Sequence, residues 1–138
     1  MSDRKLLLAI DFERGIMMED FRGLEVWKEA RKFRNKIWQL TKAFPKEEKF
    51  RLADQIQRSA RSVTANIAEG HGRFHYQENI QSCRIGRGSL TETLDHLICA
   101  VDMKYITTEK LDELEVDYNK ILKLLNGYIA YLKKRKEE

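Results

Sequence analysis

The sequence predicts an all-α protein built as an antiparallel up-down-up-down four-helix bundle. Its 138 residues include one proline and seven glycines, and 42% of them are hydrophobic and 35% charged, a composition that favours long helices over a sheet. Along four segments the apolar residues recur at steps of three or four, which places them on one face of a helix. A chain of this length is predicted to form one domain with a single core.

The first predicted helix begins after Asp20, a good N-cap, and ends before Pro45. Pro45 has no backbone N–H and forces the preceding residue into an extended conformation, so the chain must turn there. The apolar face of this helix consists of Leu24, Trp27, Ala30, Phe33, Ile37, Leu40 and Phe44. Residues 1–18 do not follow the pattern, and we predict them to be an N-terminal extension of a bundle domain that spans residues 19–136.

The second and third helices are predicted over Glu47–Glu69 and Tyr76–Tyr105, and together they form a helical hairpin. Gly70 and Gly72 lie between them. Glycine ends helices well because it adopts the left-handed conformation without steric cost, so these two residues predict the hinge.

Two further glycines, Gly86 and Gly88, lie inside the third predicted helix. Each costs up to about 1 kcal/mol relative to alanine in a helix interior. The pair therefore indicates the close approach of another backbone or a local kink, and packing between helices explains it better than a ligand contact.

The fourth predicted helix is the most regular, with Thr107 or Thr108 as its N-cap and Glu109 in its first turn. Its apolar positions alternate between steps of three and four: Leu111, Leu114, Tyr118, Ile121, Leu125, Tyr128 and Leu132. The basic run of residues 133–136 closes the helix and suits its C-terminal dipole.

Some apolar residues lie off these faces. They are Val26 and Trp38 on the first helix and Leu124 and Tyr131 on the fourth. A monomeric bundle needs one apolar stripe per helix, so a second stripe predicts a contact between subunits.

We predict a soluble, cytoplasmic protein. No apolar run approaches the roughly 20 residues of a membrane span, and the N-terminal apolar segment is too short for a secretory signal. Cys83 and Cys99 are too far apart on one straight helix to form a disulfide, and both are interpreted as small buried apolar residues.

Three blocks of the sequence resemble the 23S rRNA intervening-sequence proteins, small bacterial four-helix-bundle proteins. The blocks are Phe21-Arg22-x-Leu24-x-Val26-Trp27, Arg58-Ser59-Ala60-x-Ser62-Val63-x-Ala65-Asn66-Ile67-Ala68-Glu69-Gly70 and Gly88-Ser89-Leu90-x-Glu92-x-x-x-His96-Leu97. The resemblance covers about residues 20–132. Its motif positions are Asn66, Glu69, Gly70, Gly88, Ser89 and Glu92.

The resemblance implies a homo-oligomer with the shape of a ring, and five as the number of copies. The family is also similar to the accessory protein of diversity-generating retroelements, a basic pentameric barrel that binds nucleic acid and a reverse transcriptase. No settled activity comes with the family. Its genes lie in insertions within rRNA genes, which implies rRNA or DNA as a partner, with a reverse transcriptase or another nucleic-acid protein as a further candidate.

The charge distribution also favours a nucleic-acid partner. The formal net charge is +4, and the first helix carries most of the basic excess, with seven Lys or Arg against three Asp or Glu between residues 20 and 43. Arginine forks suit phosphate oxygens, and such contacts give affinity with little sequence preference. The predicted nucleic-acid-binding residues are Arg51, Arg58, Arg61, Arg73, Arg84 and Arg87 around the hairpin and Lys28, Arg31 and Lys32 on the first helix.

Two alternatives for the arginines stay open. Arg58 and Arg61 either face a partner or pair with Glu69, Glu92 or Asp95 across the hairpin and fix its register, in which case the protein is a purely structural interaction module. No exposed aromatic residue is predicted between the basic residues, which weakens the case for binding single strands.

Enzymatic and metal sites find little support, and we expect no enzyme, no cofactor and no metal. Ser89 has no recognisable His/Asp partner, and no glycine-rich phosphate loop is present. Glu69 and Glu92 are in principle able to pair as a general acid and base, but nothing beyond their presence supports this. His71 and His75 are four residues apart, but the hinge glycine between them leaves a shared face uncertain, and a third fixed ligand is missing.

Overall fold

A computed structural model of the chain describes residues 9–11, 16–18 and 20–138. The two short segments are strands β1 (Ala9–Asp11) and β2 (Ile16–Met18), which pair antiparallel, with Ala9 opposite Met18. The helical periodicity gave no sign of this hairpin. The predicted extension of residues 1–18 otherwise lies outside the described residues.

Four long helices follow, and the prediction of an all-α, four-helix bundle is confirmed. They are α1 (Glu25–Thr41), α2 (Leu52–Gly72), α3 (Tyr76–Asp102) and α4 (Thr108–Glu137). Single 3-10 turns, Phe21–Gly23 and Lys46–Glu48, precede α1 and α2. Among residues 20–138, no helix is both long and apolar enough to cross a membrane.

Contacts between side chains show how neighbouring helices run. Ser62 of α2 lies beside Ser89 of α3, and Ser59 lies beside Thr93, so residue numbers fall on one helix as they rise on the other. The same reversal holds for Arg34–Thr64 and Thr41–Gln57 between α1 and α2, Asn79–Tyr128 and Thr91–Tyr118 between α3 and α4, and Glu29–Lys120 and Lys36–Asp117 between α1 and α4. Each helix is therefore antiparallel to its two neighbours.

The core lies along the axis of the bundle and follows the predicted apolar faces. Its largest fully buried side chains are Leu24, Phe33, Ile37, Ile56, Val63, Ile67, Ile80, Leu90, Leu97, Leu114, Ile121 and Leu125. All four helices contribute side chains to this core, so undocking any one of them would expose apolar residues of the other three.

The predicted end at Glu69 is three residues early, because α2 continues through Gly70 and ends at Gly72. The left-handed residue that ends the helix is Phe74, with φ of 59°. At the end of α3 the same role falls to Lys104, with φ of 65°, so that helix ends before the predicted Tyr105. Gly70 is instead needed for packing between helices, as described below.

The predicted helix starts also shift. The carboxylate of Asp20 accepts a hydrogen bond from the backbone N–H of Arg22 (2.9 Å), so it caps the 3-10 turn and not α1 itself. The Glu48 carboxylate accepts from the backbone N–H of Leu52 (3.0 Å), which moves the start of α2 beyond Glu47. Thr107 caps α4 as predicted, with Oγ1 accepting from Lys110 N at 3.1 Å.

Candidate nucleic-acid interface

Close contact between α2 and α3 depends on two glycines. A Cβ built on Gly70 would lie 2.6 Å from Asn79 Oδ1 and 2.9 Å from the Cβ of Ser82, both closer than real Cβ atoms approach, and 3.1 Å from the Asn79 backbone oxygen. A Cβ on Gly86 would lie 3.3 Å from the Cβ of Asn66. The predicted close approach is thus confirmed at Gly86, whereas Gly88 has open space around it.

The register of the same two helices is set by small neutral polar groups. The hydroxyls of Ser62 and Ser89 are 2.8 Å apart, and Asn66 Nδ2 donates to the Ser62 carbonyl (2.8 Å) and hydroxyl (3.0 Å). Deeper in the core, Thr93 Oγ1 lies 2.7 Å from Ser59 Oγ. The motif residues Asn66, Gly70 and Ser89 therefore form one structural unit of the hairpin.

The idea that charged residues fix this register is wrong. Arg58 pairs with Asp54 (2.8 Å), one turn away on its own helix. Among residues 20–138 no ion pair joins α2 to α3. The two motif carboxylates also form pairs within their own helices or helix ends: Glu69 with Arg73 at 2.9 Å and Glu92 with His96 at 3.1 Å.

The hairpin arginines do not converge on one groove either. Arg84 Nη1 donates to Gln81 Oε1 (3.1 Å) on its own helix, and Arg87 Nη1 donates to Asn126 Oδ1 (2.9 Å) across to α4. Arg51 is exposed at the N-terminal end of α2. The predicted set is thus spread over several surfaces, and Arg61 lies beside Arg34 of α1.

Arg61 of α2 joins Arg31 and Arg34 of α1, and we call these three residues the arginine cluster. Arg34 is half-buried and its Nη1 donates to Thr64 Oγ1 at 3.2 Å. Burial lowers the pKa of Arg34, and the positive charges of Arg31 and Arg61 lower it further. In the part of the chain that the structure describes, no carboxylate forms an ion pair with any of the three.

An exposed aromatic ring lies beside this cluster. Trp38 is 50% exposed, and Lys42 Nζ lies over its ring, 5.7 Å from the centroid. A cleft of about 110 Å³ opens between α1 and α2, lined by Arg34, Asn35, Trp38, Gln57 and Arg61. We call it the Trp38 cleft. The expectation that no aromatic residue accompanies the basic ones is wrong here.

The other predicted basic residues of α1 differ in whether a carboxylate pairs with them. Lys32 pairs with Glu29 (3.2 Å), whose carboxylate also meets Lys120 of α4 (3.4 Å). Lys28 is half-buried, and the Arg31 guanidinium lies 5.6 Å from the centre of the Trp27 ring. The basic surface of α1 is therefore neutralised toward α4 and left unneutralised toward α2.

An apolar groove lies on another face of the bundle, where the N-terminal end of α1 meets the C-terminal half of α4. Its volume is about 570 Å³. Its apolar lining includes Leu24, Val26, Leu124, Tyr128 and Tyr131, with Lys123 and Lys134 among its polar residues. Three of the four residues of the predicted second stripe lie here, and Trp38 alone belongs elsewhere.

The structure separates the two glutamates considered as an acid–base pair. Since Gly70 lies beside Asn79 and Ser82, Glu92 is about ten residues beyond the position that faces Glu69, or roughly 15 Å along α3. They cannot act on one bond. Within residues 20–138, no three His, Cys, Asp or Glu side chains come close enough to hold a metal ion.

Of the two cysteines, Cys83 is buried as predicted and Cys99 is exposed, contrary to the prediction. Burial raises the pKa of the Cys83 thiol to about 12, so it stays protonated at neutral pH. Neither forms a disulfide.

Two comparisons with known proteins agree with the fold. The protein family described as "23S rRNA-intervening sequence protein" matches residues 22–127. The chain is also similar to a crystal structure from Bacteroides thetaiotaomicron, described as a protein with unknown function from the S23 ribosomal protein family. The two are 30% identical, with a TM-score of 0.71, over 76% of this chain and 95% of that one. No curated protein matches the sequence.

Proposed function

The chain belongs to the 23S rRNA-intervening sequence protein family, and we propose that it is a non-enzymatic, self-assembling scaffold that binds nucleic acid through the arginine cluster. The observation that carries the proposal is the cluster itself: Arg31, Arg34 and Arg61 lie together with no carboxylate paired to any of them in residues 20–138. Neighbouring positive charges repel one another, and an anion that binds all three groups relieves that repulsion.

A phosphate backbone supplies that anion. Guanidinium groups bind phosphate oxygens through two parallel N–H bonds, and a partner with regularly spaced phosphates can engage several arginines at once. Binding of this kind releases counterions, so its affinity falls steeply with salt concentration. Ribosomal RNA is the polyanion that the family description names, and DNA is the second candidate.

The test measures affinity for rRNA and DNA fragments at two salt concentrations, with a double variant, Arg31→Ala with Arg61→Ala. Both residues are exposed, so the fold should survive their loss. We expect weaker binding and a plot of log affinity against log salt whose slope is shallower by about 1 to 2. The control is Arg51→Ala with Arg84→Ala, which removes the same charge from exposed positions outside the cluster.

If the wild type binds neither nucleic acid at low salt, the proposal is wrong. If the control variant loses as much affinity as the cluster variant, net charge alone attracts the ligand and the cluster has no special role.

Self-assembly is supported by the apolar groove, whose lining would gain from burial against a second copy of the chain. Leu124→Arg places a charge in the groove and should give monomers, whereas Val116→Arg, at an exposed aliphatic position of α4 that is not among the groove residues, should not. Light scattering would report masses in multiples of 16.4 kDa. The resemblance sets the expected number of copies at five, and a monomeric wild type would contradict the proposed assembly.

A protein partner that handles nucleic acid, such as a reverse transcriptase, fits the same scaffold role. The rival proposal is an interaction module that binds proteins only. It gains no support from arginines paired across the hairpin, since none of the ion pairs in residues 20–138 joins α2 to α3. Salt-dependent nucleic-acid binding distinguishes the two.

A further inference from the structure

We infer that the Trp38 cleft receives one unpaired nucleobase, so that the preferred ligand is single-stranded nucleic acid. This inference rests on the proposed function and narrows it to one class of ligand. It starts from an unusual neighbourhood: a half-exposed indole ring between positive charges. Aromatic rings bind bases by stacking, and flanking cations hold the adjoining phosphates.

The size of the cleft favours a single base. At about 110 Å³, between two helices of the same chain, it can take one planar ring system and not a stack of pairs. Bases of a duplex are stacked inside the helix and reach a side pocket only if they are extruded, whereas bases of single strands and loops are free to enter.

The lining of the cleft has groups that suit the edge of a base. Gln57 Nε2 donates to Thr41 Oγ1 at 2.8 Å, which fixes the amide and leaves its oxygen as an acceptor. Asn35 is exposed, and its amide makes no hydrogen bond within residues 20–138, so it can both donate and accept. Arg34 and Arg61 border the same space, where phosphates on either side of the stacked base would lie.

Trp27 provides an internal comparison. Its ring meets Phe21 edge-on, with centroids 5.0 Å apart, and the Arg31 guanidinium lies over it. Trp27 is already packed against an aromatic neighbour, whereas no aromatic ring within residues 20–138 packs against Trp38. The chain has two tryptophans, so replacing Trp27 leaves Trp38 as the only indole reporter.

The experiment uses the full chain with Trp27→Phe and follows Trp38 fluorescence. It is titrated at low salt with an unstructured RNA 12-mer, the DNA 12-mer of equal sequence, and the duplex of that DNA. We expect the single strands to quench the fluorescence, because a base stacked on the indole quenches its excited state by direct contact. The duplex should bind without quenching. Quenching by either single strand supports the inference, and the tighter of the two identifies the preferred sugar.

A second measurement tests the affinity. Trp38→Ala should weaken single-strand binding by about 5- to 150-fold, the range for loss of one base–aromatic stack, and leave duplex binding unchanged. Trp38→Phe should recover most of the loss because it keeps a ring. Circular dichroism and light scattering on each variant verify that fold and assembly are intact.

The failures of the two proposals are distinct. If single strands and duplex bind alike, with dependence on the arginines but not on Trp38, this inference is wrong and the proposed function stands. If Trp38→Ala instead dissociates the assembly, the ring belongs to a subunit contact and the inference is also wrong. If nothing binds at low salt, the proposed function is refuted and this inference with it.

Discussion

Alanine at Gly70 and alanine at Gly88 should change stability in opposite directions, although both glycines lie in long helices. Glycine costs up to about 1 kcal/mol relative to alanine inside a helix, so each substitution brings a gain of that order. At Gly88 nothing opposes it, because a Cβ there has no neighbour within 4 Å. We expect Gly88→Ala to raise the free energy of unfolding by about 0.5 to 1 kcal/mol.

At Gly70 the new methyl group collides with Asn79. It would lie 2.6 Å from the side-chain oxygen and 3.1 Å from the backbone oxygen, and the latter cannot move without shifting α3. Overpacking of this kind costs about 1 to 3 kcal/mol. Asn79 is buried and donates to the Tyr128 hydroxyl at 3.0 Å, so displacing it adds about 1 to 3 kcal/mol for broken hydrogen bonds. After subtraction of the helix gain, we expect the free energy of unfolding to fall by about 1 to 5 kcal/mol.

Urea denaturation followed by circular dichroism at 222 nm would measure both variants against the wild type. Runs at several protein concentrations separate folding from any assembly. Gly86→Ala provides an intermediate case, since its Cβ would lie 3.3 Å from the Cβ of Asn66. Equal stability of Gly70→Ala and Gly88→Ala would refute the close packing of α2 on α3 at this point.

Three further results are expected. Thr93→Val should lower the free energy of unfolding, measured in urea, by about 1 to 3 kcal/mol, because it removes a buried hydroxyl that is hydrogen-bonded. Thr91→Val, at an exposed position, should lower it much less. Equal losses would contradict the buried network. A thiol reagent at pH 8 should label Cys99 quickly and Cys83 only after denaturation, since burial raises the pKa of Cys83 to about 12; fast labelling of both would contradict this. Burial lowers the pKa of His71, although the negative charge of Asp20 opposes this shift. The unfolded chain therefore binds the proton more readily than the folded chain. The free energy of unfolding should fall as pH drops below about 6.5, the pKa of His71 in the unfolded chain, and stay level above it. His71→Gln should flatten that part of the pH profile, and an unchanged profile would refute the assignment.

The helices were predictable because each buries one stripe at helical spacing. Leu114, Ile121 and Leu125 follow that pattern, and all three lie in the core. The ends of the helices were not predictable, because they depend on contacts between residues that are distant in sequence. Gly70 looks like a helix stop in isolation, but the space that it leaves is filled by Asn79 from the next helix.

The candidate interface was only partly predictable from the sequence for a related reason. The sequence shows which residues are basic but not which of them have partners. Arg58 finds Asp54 one turn away, while Arg61 meets Arg34 from another helix, and a pattern within one helix cannot reveal the second contact. The sequence did contain a sign that Trp38 is exposed, since this residue lies off the apolar series of α1 and close to basic and amide residues.

The distribution of ion pairs implies that salt acts unevenly on this molecule. Between α1 and α4, the contacts of Lys36 with Asp117 and of Lys120 with Glu29 weaken as ionic strength rises. Between α2 and α3, hydroxyl and amide hydrogen bonds and close glycine contacts are indifferent to it. High salt should therefore weaken the contacts between α1 and α4 more than those between α2 and α3, and hydrogen exchange along the four helices would show the difference.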